Sequence, residues 1–383
     1  MKYILIQVGP IAKYPPALTV LQDMDDLGVE VTLITNQIDE NTKKLCLKRK
    51  IKYIEILSDF PENISPPKKL KRMLFLRKRF WEEIDNLYDE DTILWVSSDA
   101  AIMHLGSTLL KTNYILHMYE LGENIIYYSK LPFLKMNTSQ FAQNALAVIH
   151  AEYNRAHIAK TWWNLKELPF VLPNKPYQSG IVKNSEIKDE YARNVFNKLK
   201  GKKVILYQGI TSKERPLDKV IKAVGKLGGE YAFVLMSSEK NVYSNLNIPN
   251  YYFIPFVKPP YHLEITSHAY IGVLSYTPTS NGYSKLNALF CAPNKVYEYA
   301  AFGIPMIGND IPGLTFPFEK DRIGEIFSSF EEDEIMEAIE KVQNNYKELS
   351  ENARTFYEKT DTKKSISDII LHAESKLTTR RKQ

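Results

Sequence analysis

The residues best equipped for chemistry lie in one run, CAPNKVYEYAAFGIPMIGNDIPGL, from Cys291 to Leu314. Glu298 is the acidic side chain of an otherwise apolar helix in that run. A carboxylate beside a binding site accepts hydrogen bonds from a vicinal diol such as a ribose. The ordinary alternative is a solvated glutamate. Asn294 and Lys295 open the same helix and Asn287 precedes it. A second run, VILYQGITSKERPLDKVIKA at residues 204–223, joins an apolar strand to a helix through Gly209. Such a loop brings backbone amides close to a phosphate, and the positive end of the following helix adds to the attraction. Arg215, with Lys213 beside it, can neutralise a diphosphate through charge-assisted bonds. An exposed arginine at a helix start is the alternative.

The N-terminal half carries a third group. Gly9, in Val8-Gly9-Pro10-Ile11, follows the first apolar run and permits close backbone approach, although no G-x-G-x-x-G string surrounds it. His117, Glu120 and Glu123 follow the run Tyr114–Leu116. His117 is expected to donate to a sugar hydroxyl or a departing phosphate, and Glu120 to orient an acceptor; structural roles are the alternatives. His150 and Arg155 stand after the next run. Asp25-Asp26 and Glu331–Glu334 read as solvated charge on helices, and no clear DxD metal clamp stands out, so no metal is expected.

These residues need a scaffold, and the hydrophobic rhythm specifies one. Short apolar runs at Tyr3–Val8, Val29–Thr35, Tyr53–Leu57, Thr92–Val96, Tyr114–Leu116, Ala147–Ile149 and Phe170–Leu172 alternate with amphipathic segments. The clearest of the latter are Pro16–Leu27, Leu70–Leu87 and Ala100–Leu110. Buried strands between surface helices predict a parallel sheet covered on both faces. After a Pro- and Gly-containing stretch at Pro173–Ser185 the rhythm restarts. Strands are expected at Lys203–Gln208, Tyr231–Ser237, Ala269–Leu274 and Pro305–Gly308. Helices are expected at Glu186–Leu199, Arg215–Leu227, Asn294–Phe302 and Glu332–Tyr346, with a loop at Asn309–Gly313. Pro293 can start the site helix and Gly303 can end it.

The fold class predicted is therefore α/β, two Rossmann-like domains facing a central cleft. Residues 1–175 form an N-terminal domain and 186–355 a second domain. A last helix and a frayed TTRRKQ tail fill 356–383. With 383 residues, 44% of them hydrophobic, each half can bury its own core. A net charge of +5 on so long a chain gives no reason to invoke nucleic acid. Cys46 and Cys291 form no CxxC pair, so neither a disulfide framework nor a thiolate metal site is expected. The first ten residues read as a buried strand rather than a secretion signal, which points to the cytoplasm. One local concentration of charge stands out. Lys68, Lys69, Lys71 and Arg72, then Arg77, Lys78 and Arg79, bracket and follow Met73-Leu74-Phe75-Leu76. Cations mixed with large apolar groups on one helix suit an anionic membrane surface, here the inner face of the cell membrane; packing on the protein's own sheet is the alternative.

The string PNKVYEYAAFGIPMIG followed by NDIPG resembles the donor-site motif of family 4 glycosyltransferases, which have the GT-B fold. The resemblance implies that Glu298 binds the nucleotide ribose and makes Asn287, Asn294 and Lys295 candidates around the donor. It also implies that residues 186–355 bind the nucleotide sugar, and that the last helix crosses back to an acceptor-side N-terminal domain. The segment at 204–223 is similar to a phosphate-binding loop of that family. Gly209 and Arg215 match it, Ile210 stands where the first basic residue is usual, and Pro216 replaces a glycine. Lys213 or a group within Ser275–Lys285 is expected to compensate. A first glutamate usual eight positions before the ribose ligand is Phe290 here. The resemblance implies retaining transfer of a sugar from a UDP- or GDP-sugar, with no further cofactor. The acceptor would be a hydroxyl of a saccharide or polyprenyl-linked saccharide, in surface polysaccharide synthesis. A sugar-nucleotide epimerase of similar fold and an inactive sugar-binding subunit are the rival readings.

Overall fold

The structure, a computed structural model, describes residues 1–57, 65–126, 135–178, 180–279 and 284–382. They fall into two compact units, one drawn from Met1–Tyr177, Asn281–Ser284 and Asp361–Gln383, the other from Gln178–Ser280 and Lys285–Thr360.

The first unit is built on a seven-stranded sheet. In spatial order its strands are Lys52–Glu55, Glu30–Gln37, Lys2–Pro10, Thr92–Ser97, Tyr114–Met118, Ala147–His150 and Phe170–Val171. Every neighbouring pair is parallel. Successive residues of the first strand feed two cores. Tyr3 and Leu5 pack on one face with Val20, Leu21 and Trp95, while Ile4 and Ile6 pack on the other with Phe80, Ile84 and Leu105. That is why the strand reads as unbroken apolar sequence: both faces are covered by helices. At the carboxyl end the register places Gln7 beside Thr35 and Ser97, and Ser97 beside His117, so polar residues line up where the apolar runs stop.

A long helix, Thr362–Lys382, completes this unit. It buries Ile366, Ile369, Ile370, Ala373 and Leu377 in the core that holds Tyr3 and Leu5. The Thr362 hydroxyl donates to Asp23 Oδ2 at 2.7 Å. The expected frayed tail is not found. The helix runs on to Lys382, with Arg380 donating to the Asn144 carbonyl at 3.0 Å and Arg381 pairing with Asp91 at 3.0 Å. Contacts made only in the folded chain hold a segment that composition alone would leave loose.

The second unit has a six-stranded parallel sheet. Its order is Tyr251–Pro255, Tyr231–Ser237, Lys203–Gln208, Ile271–Leu274, Met306–Asn309 and Gly324–Phe327. Val204 and Leu206 face one core and Ile205 and Tyr207 the other, repeating the two-faced plan. The edge strands Tyr251–Pro255 and Gly324–Phe327 have no counterpart in the sequence reading, being short and only partly buried. Where a loop was expected over Asn309–Gly313, the strand Met306–Asn309 leads into a helix, Pro312–Asp321, begun by its proline. Two such units, each a parallel sheet flanked by helices, make the two-Rossmann-domain GT-B architecture.

Candidate functional site

The helix Asn294–Ala300 is seated by contacts its sequence only partly declares. Gly272, on the strand Ile271–Leu274, leaves room for the Tyr299 ring; a Cβ there would lie 2.4 Å from it. The Tyr299 hydroxyl then reaches across to donate to the Leu206 carbonyl at 2.9 Å. Gly303 closes the helix with φ +61, a conformation that glycine adopts without a Cβ penalty. So fixed, the helix sets Lys295 and Glu298 inward, 8% and 9% exposed, beside the end of the strand Lys203–Gln208.

Glu298 is fully engaged. Its Oε2 accepts from Gln208 Nε2 at 2.5 Å, and its Oε1 lies 3.3 Å from His262 Nε2. Gln208 Oε1 in turn accepts from the Thr266 hydroxyl at 2.5 Å, and Thr266 also donates to the His262 carbonyl at 3.0 Å. Burial pushes the Glu298 carboxyl up. Its bonds with His262 and Gln208, helped by the charge of Lys295, outweigh that and leave it below the usual range. A buried, oriented carboxylate kept ionised is a strong acceptor for hydroxyl donors. Gln208, His262 and Thr266 were missed from the sequence. The available signal was a glutamine closing an apolar strand and a histidine opening the short helix His262–Thr266.

The loop after Gln208 begins at Gly209, φ +129, in the region that favours glycine. The Tyr207 hydroxyl donates to the Ile210 carbonyl at 2.9 Å and the Arg215 amide to the Ser212 carbonyl at 2.9 Å. Three bonds tie this loop to the segment after Leu274. The Thr277 amide donates to the Glu214 carbonyl at 2.7 Å, the Thr277 hydroxyl to the Lys213 carbonyl at 3.1 Å, and the Ser275 hydroxyl to the Pro216 carbonyl at 2.6 Å. The Arg215 guanidinium thereby stands 5.3 Å from the Tyr276 ring centroid. Lys295 Nζ lies 4.0 Å from the Tyr207 ring centroid and 5.4 Å from that of Tyr276. Gly209, Arg215, Lys295 and Glu298 therefore share one neighbourhood, with Lys295 electrostatically coupled to both Arg215 and Glu298. Asn294 is half-buried one residue before Lys295, whereas Lys213 is exposed. Of the loop Ser275–Lys285, residues 280–283 lie outside the described residues.

In the other unit, Gly9 has φ +94 and its amide donates to Asn36 Oδ1 at 2.8 Å. His117 is wholly buried. Its Nδ1 accepts from Trp95 Nε1 at 3.3 Å, its ring meets the Tyr119 ring edge-on at 4.8 Å, and burial pushes its pKa down to about 3. Glu120 is half-buried, close enough to help raise the Tyr14 hydroxyl, behind the larger effects of burial and Asp99. Glu123 is exposed, and its carbonyl accepts from Trp163 Nε1 at 2.9 Å. His150 is buried against Trp163, and burial with the nearby Arg155 holds it down at about 3. Arg155 donates to the Tyr119 carbonyl at 2.8 Å. Among the described residues no group of three or more His, Cys, Asp or Glu side chains is placed to hold a metal. No helix among them is long and apolar enough to cross a membrane.

With this geometry in view, similarities to known proteins can be weighed. The sequence family described as glycosyl transferase-like matches residues 215–370, less than half of the chain. No curated protein matches the chain. Among solved structures, Anabaena Alr3699/HepE in complex with UDP is similar with TM-score 0.66 and 14% identity, over 98% of this chain and 100% of that one. A glycosyltransferase from Rickettsia africae gives TM-score 0.59 and 12% identity, over 100% and 98%. A putative UDP-N-acetylglucosamine 2-epimerase from Listeria monocytogenes gives TM-score 0.56 and 12% identity, over 92% and 91%. These likenesses correct the expectation of family 4 in particular. The matching description is broader, and transferases and an epimerase share the fold at equal identity. What they show is the GT-B fold, with a glycosyl transferase-like sequence match confined to residues 215–370.

Proposed function

We propose that this chain acts on a nucleotide sugar, transferring the sugar to a hydroxyl acceptor. The observation that carries the reading is the buried Glu298 carboxylate held by Gln208 and His262, with Arg215 and Lys295 beside it at the end of one parallel sheet. Ligands of such sheets bind beyond the carboxyl ends of the strands. In the proposal Glu298 takes the ribose hydroxyls, and Arg215 with the Gly209 loop takes the diphosphate. As the bond to the anomeric carbon breaks, negative charge grows on the diphosphate. Cations already in place stabilise that charge more than the ground state and so lower the barrier. UDP is the favoured nucleotide, since Anabaena Alr3699/HepE is solved with it; a GDP-sugar is the other donor to be tried. The acceptor, a saccharide or polyprenyl-linked saccharide in surface polysaccharide synthesis, is assigned to the N-terminal unit. There Gly9 and Glu120 are the candidate contacts, and the buried His117 would act by positioning Tyr119. Transfer with retention, and without a metal, completes the proposal.

Incubation with UDP- and GDP-sugars, with and without a lipid-linked acceptor, tests this. Acceptor-dependent release of nucleotide with a new saccharide product is expected. The likeness to a 2-epimerase favours one second reading; appearance of an epimeric sugar nucleotide without acceptor would establish it in place of transfer.

The helix Pro66–Asp85 supports a peripheral site of action in the cytoplasm. Leu70, Leu74 and Phe75 are 55%, 50% and 39% exposed among exposed Lys68, Lys69, Lys71, Lys78 and Arg79. Its opposite side buries Leu76, Phe80 and Ile84. One helix thus packs on its own sheet and also presents cations with apolar groups outward, the combination that binds anionic headgroups.

A further inference from the structure

We infer that Lys295, presented by the helix Asn294–Ala300, is a second diphosphate-binding cation of this chain beside Arg215. The inference rests on the nucleotide-sugar reading above. Three observations lead to it. Lys295 is 8% exposed, yet its Nζ is buried with no hydrogen-bond partner among the described residues. An ammonium taken from water without an acceptor is costly and needs compensation. Here the Tyr207 and Tyr276 ring faces supply part of it, with the charge of Glu298. The nearest carboxylate, Glu298, is already committed to Gln208 and His262.

The second observation is position. Lys295 Nζ lies 3.7 Å from where a Gly209 Cβ would be, against the backbone of the loop that also carries Arg215. Residue 210 follows directly, and it is an isoleucine, 52% exposed. A cation from a different element therefore lies next to the backbone of this loop, where the loop's own next residue is apolar. The third is sign. Lys213 points to solvent, so Lys295 and Arg215 are the cations enclosed here, and an incoming group with two or more negative oxygens satisfies the unpaired Nζ and balances both.

The site also has a protonation signature. Burial, then the neighbouring Arg215, holds the Lys295 ammonium well below its usual range, with Glu298 and Cys291 pulling the other way. Tyr207 and Tyr276 face it too, both pushed upward by burial and so uncharged. Arrival of a diphosphate favours the charged form.

Calorimetry on the full chain with inorganic pyrophosphate, UDP, GDP, uridine and guanosine tests the assignment. Lys295→Gln and Lys295→Met are expected to weaken pyrophosphate and the bound nucleoside diphosphate roughly 10- to 100-fold, with nucleoside affinity within about twofold. Adding Ile210→Lys to Lys295→Gln is expected to recover roughly tenfold of the loss. Undiminished diphosphate affinity, or an equal loss for nucleosides, overturns the role of Lys295. Lys295-dependent pyrophosphate binding without any nucleotide binding keeps the anion site and removes the nucleotide-sugar reading. No binding of any probe by the wild-type chain removes both.

Discussion

Glu298 shows what burial does to a residue that sequence alone leaves ambiguous. Its carboxylate is held by Gln208 and by His262, so removing it orphans two polar groups as well as losing a ligand contact. Glu298→Ala is therefore expected to cost about 1–3 kcal/mol of stability. In calorimetry it should weaken the nucleoside diphosphate and the nucleoside together, unlike Lys295→Gln; unchanged affinity removes Glu298 from the site. Arg215→Ala should reduce turnover at limiting donor by roughly 10- to 100-fold, since it faces the developing charge; wild-type kinetics would reject that role. The buried histidines make a different prediction. His117 and His150 are held neutral, each with a pKa near 3, whereas the unfolded chain protonates them near the ordinary value. Between those limits the unfolded state binds more protons, so stability falls as pH drops from neutral. Acidification from pH 7 to 5 is expected to cost on the order of 1–2 kcal/mol per histidine. His150→Phe, which keeps a ring against Trp163, should remove about half of that acid sensitivity in urea titrations; an unaltered pH slope would show that His150 is not its source.

At the scale of elements, the site depends on how closely one helix approaches one strand. Gly272 lets the Tyr299 ring lie against the sheet, and Tyr299 directly follows Glu298. Gly272→Ala puts a methyl group into that ring and is expected to cost about 1–3 kcal/mol by overpacking. It should also cut nucleotide affinity although residue 272 carries no ligand contact. A variant that unfolds earlier yet binds with wild-type affinity would mean that the helix can shift without moving Glu298. The terminal helix argues the same way for the first unit. Ile369 is fully buried beneath it, so Ile369→Ala should cost about 2–5 kcal/mol in chemical denaturation.

For the whole molecule, ligand binding and surface charge give the clearest readouts. A nucleotide sugar that binds only the folded chain raises its apparent stability, and a thermal-shift series across UDP- and GDP-sugars should single out the donor. The exposed face of Pro66–Asp85 predicts binding to vesicles containing anionic lipid that weakens as salt is raised. Charge reversal at Lys68, Lys69, Lys71 and Arg72 should abolish it; equal binding by that variant would show that the helix serves its own fold alone.

Periodicity in the sequence determined the strand–helix alternation, because burying a parallel sheet on both faces demands near-continuous apolar strands. It could not determine the edge strands Tyr251–Pro255 and Gly324–Phe327, whose short, half-buried stretches carry little pattern. Residue type left Glu298 and Arg215 ambiguous, and it was the resemblance to a donor-site motif that made them, with Gly209, candidates. Only tertiary structure decided that Gln208 and His262, 90 and 36 residues away, complete the carboxylate's surroundings. It likewise decided that Lys295 lies against the Gly209 backbone. Such partners are set by the register of separate strands and the closeness of their packing, and no window of local sequence encodes either.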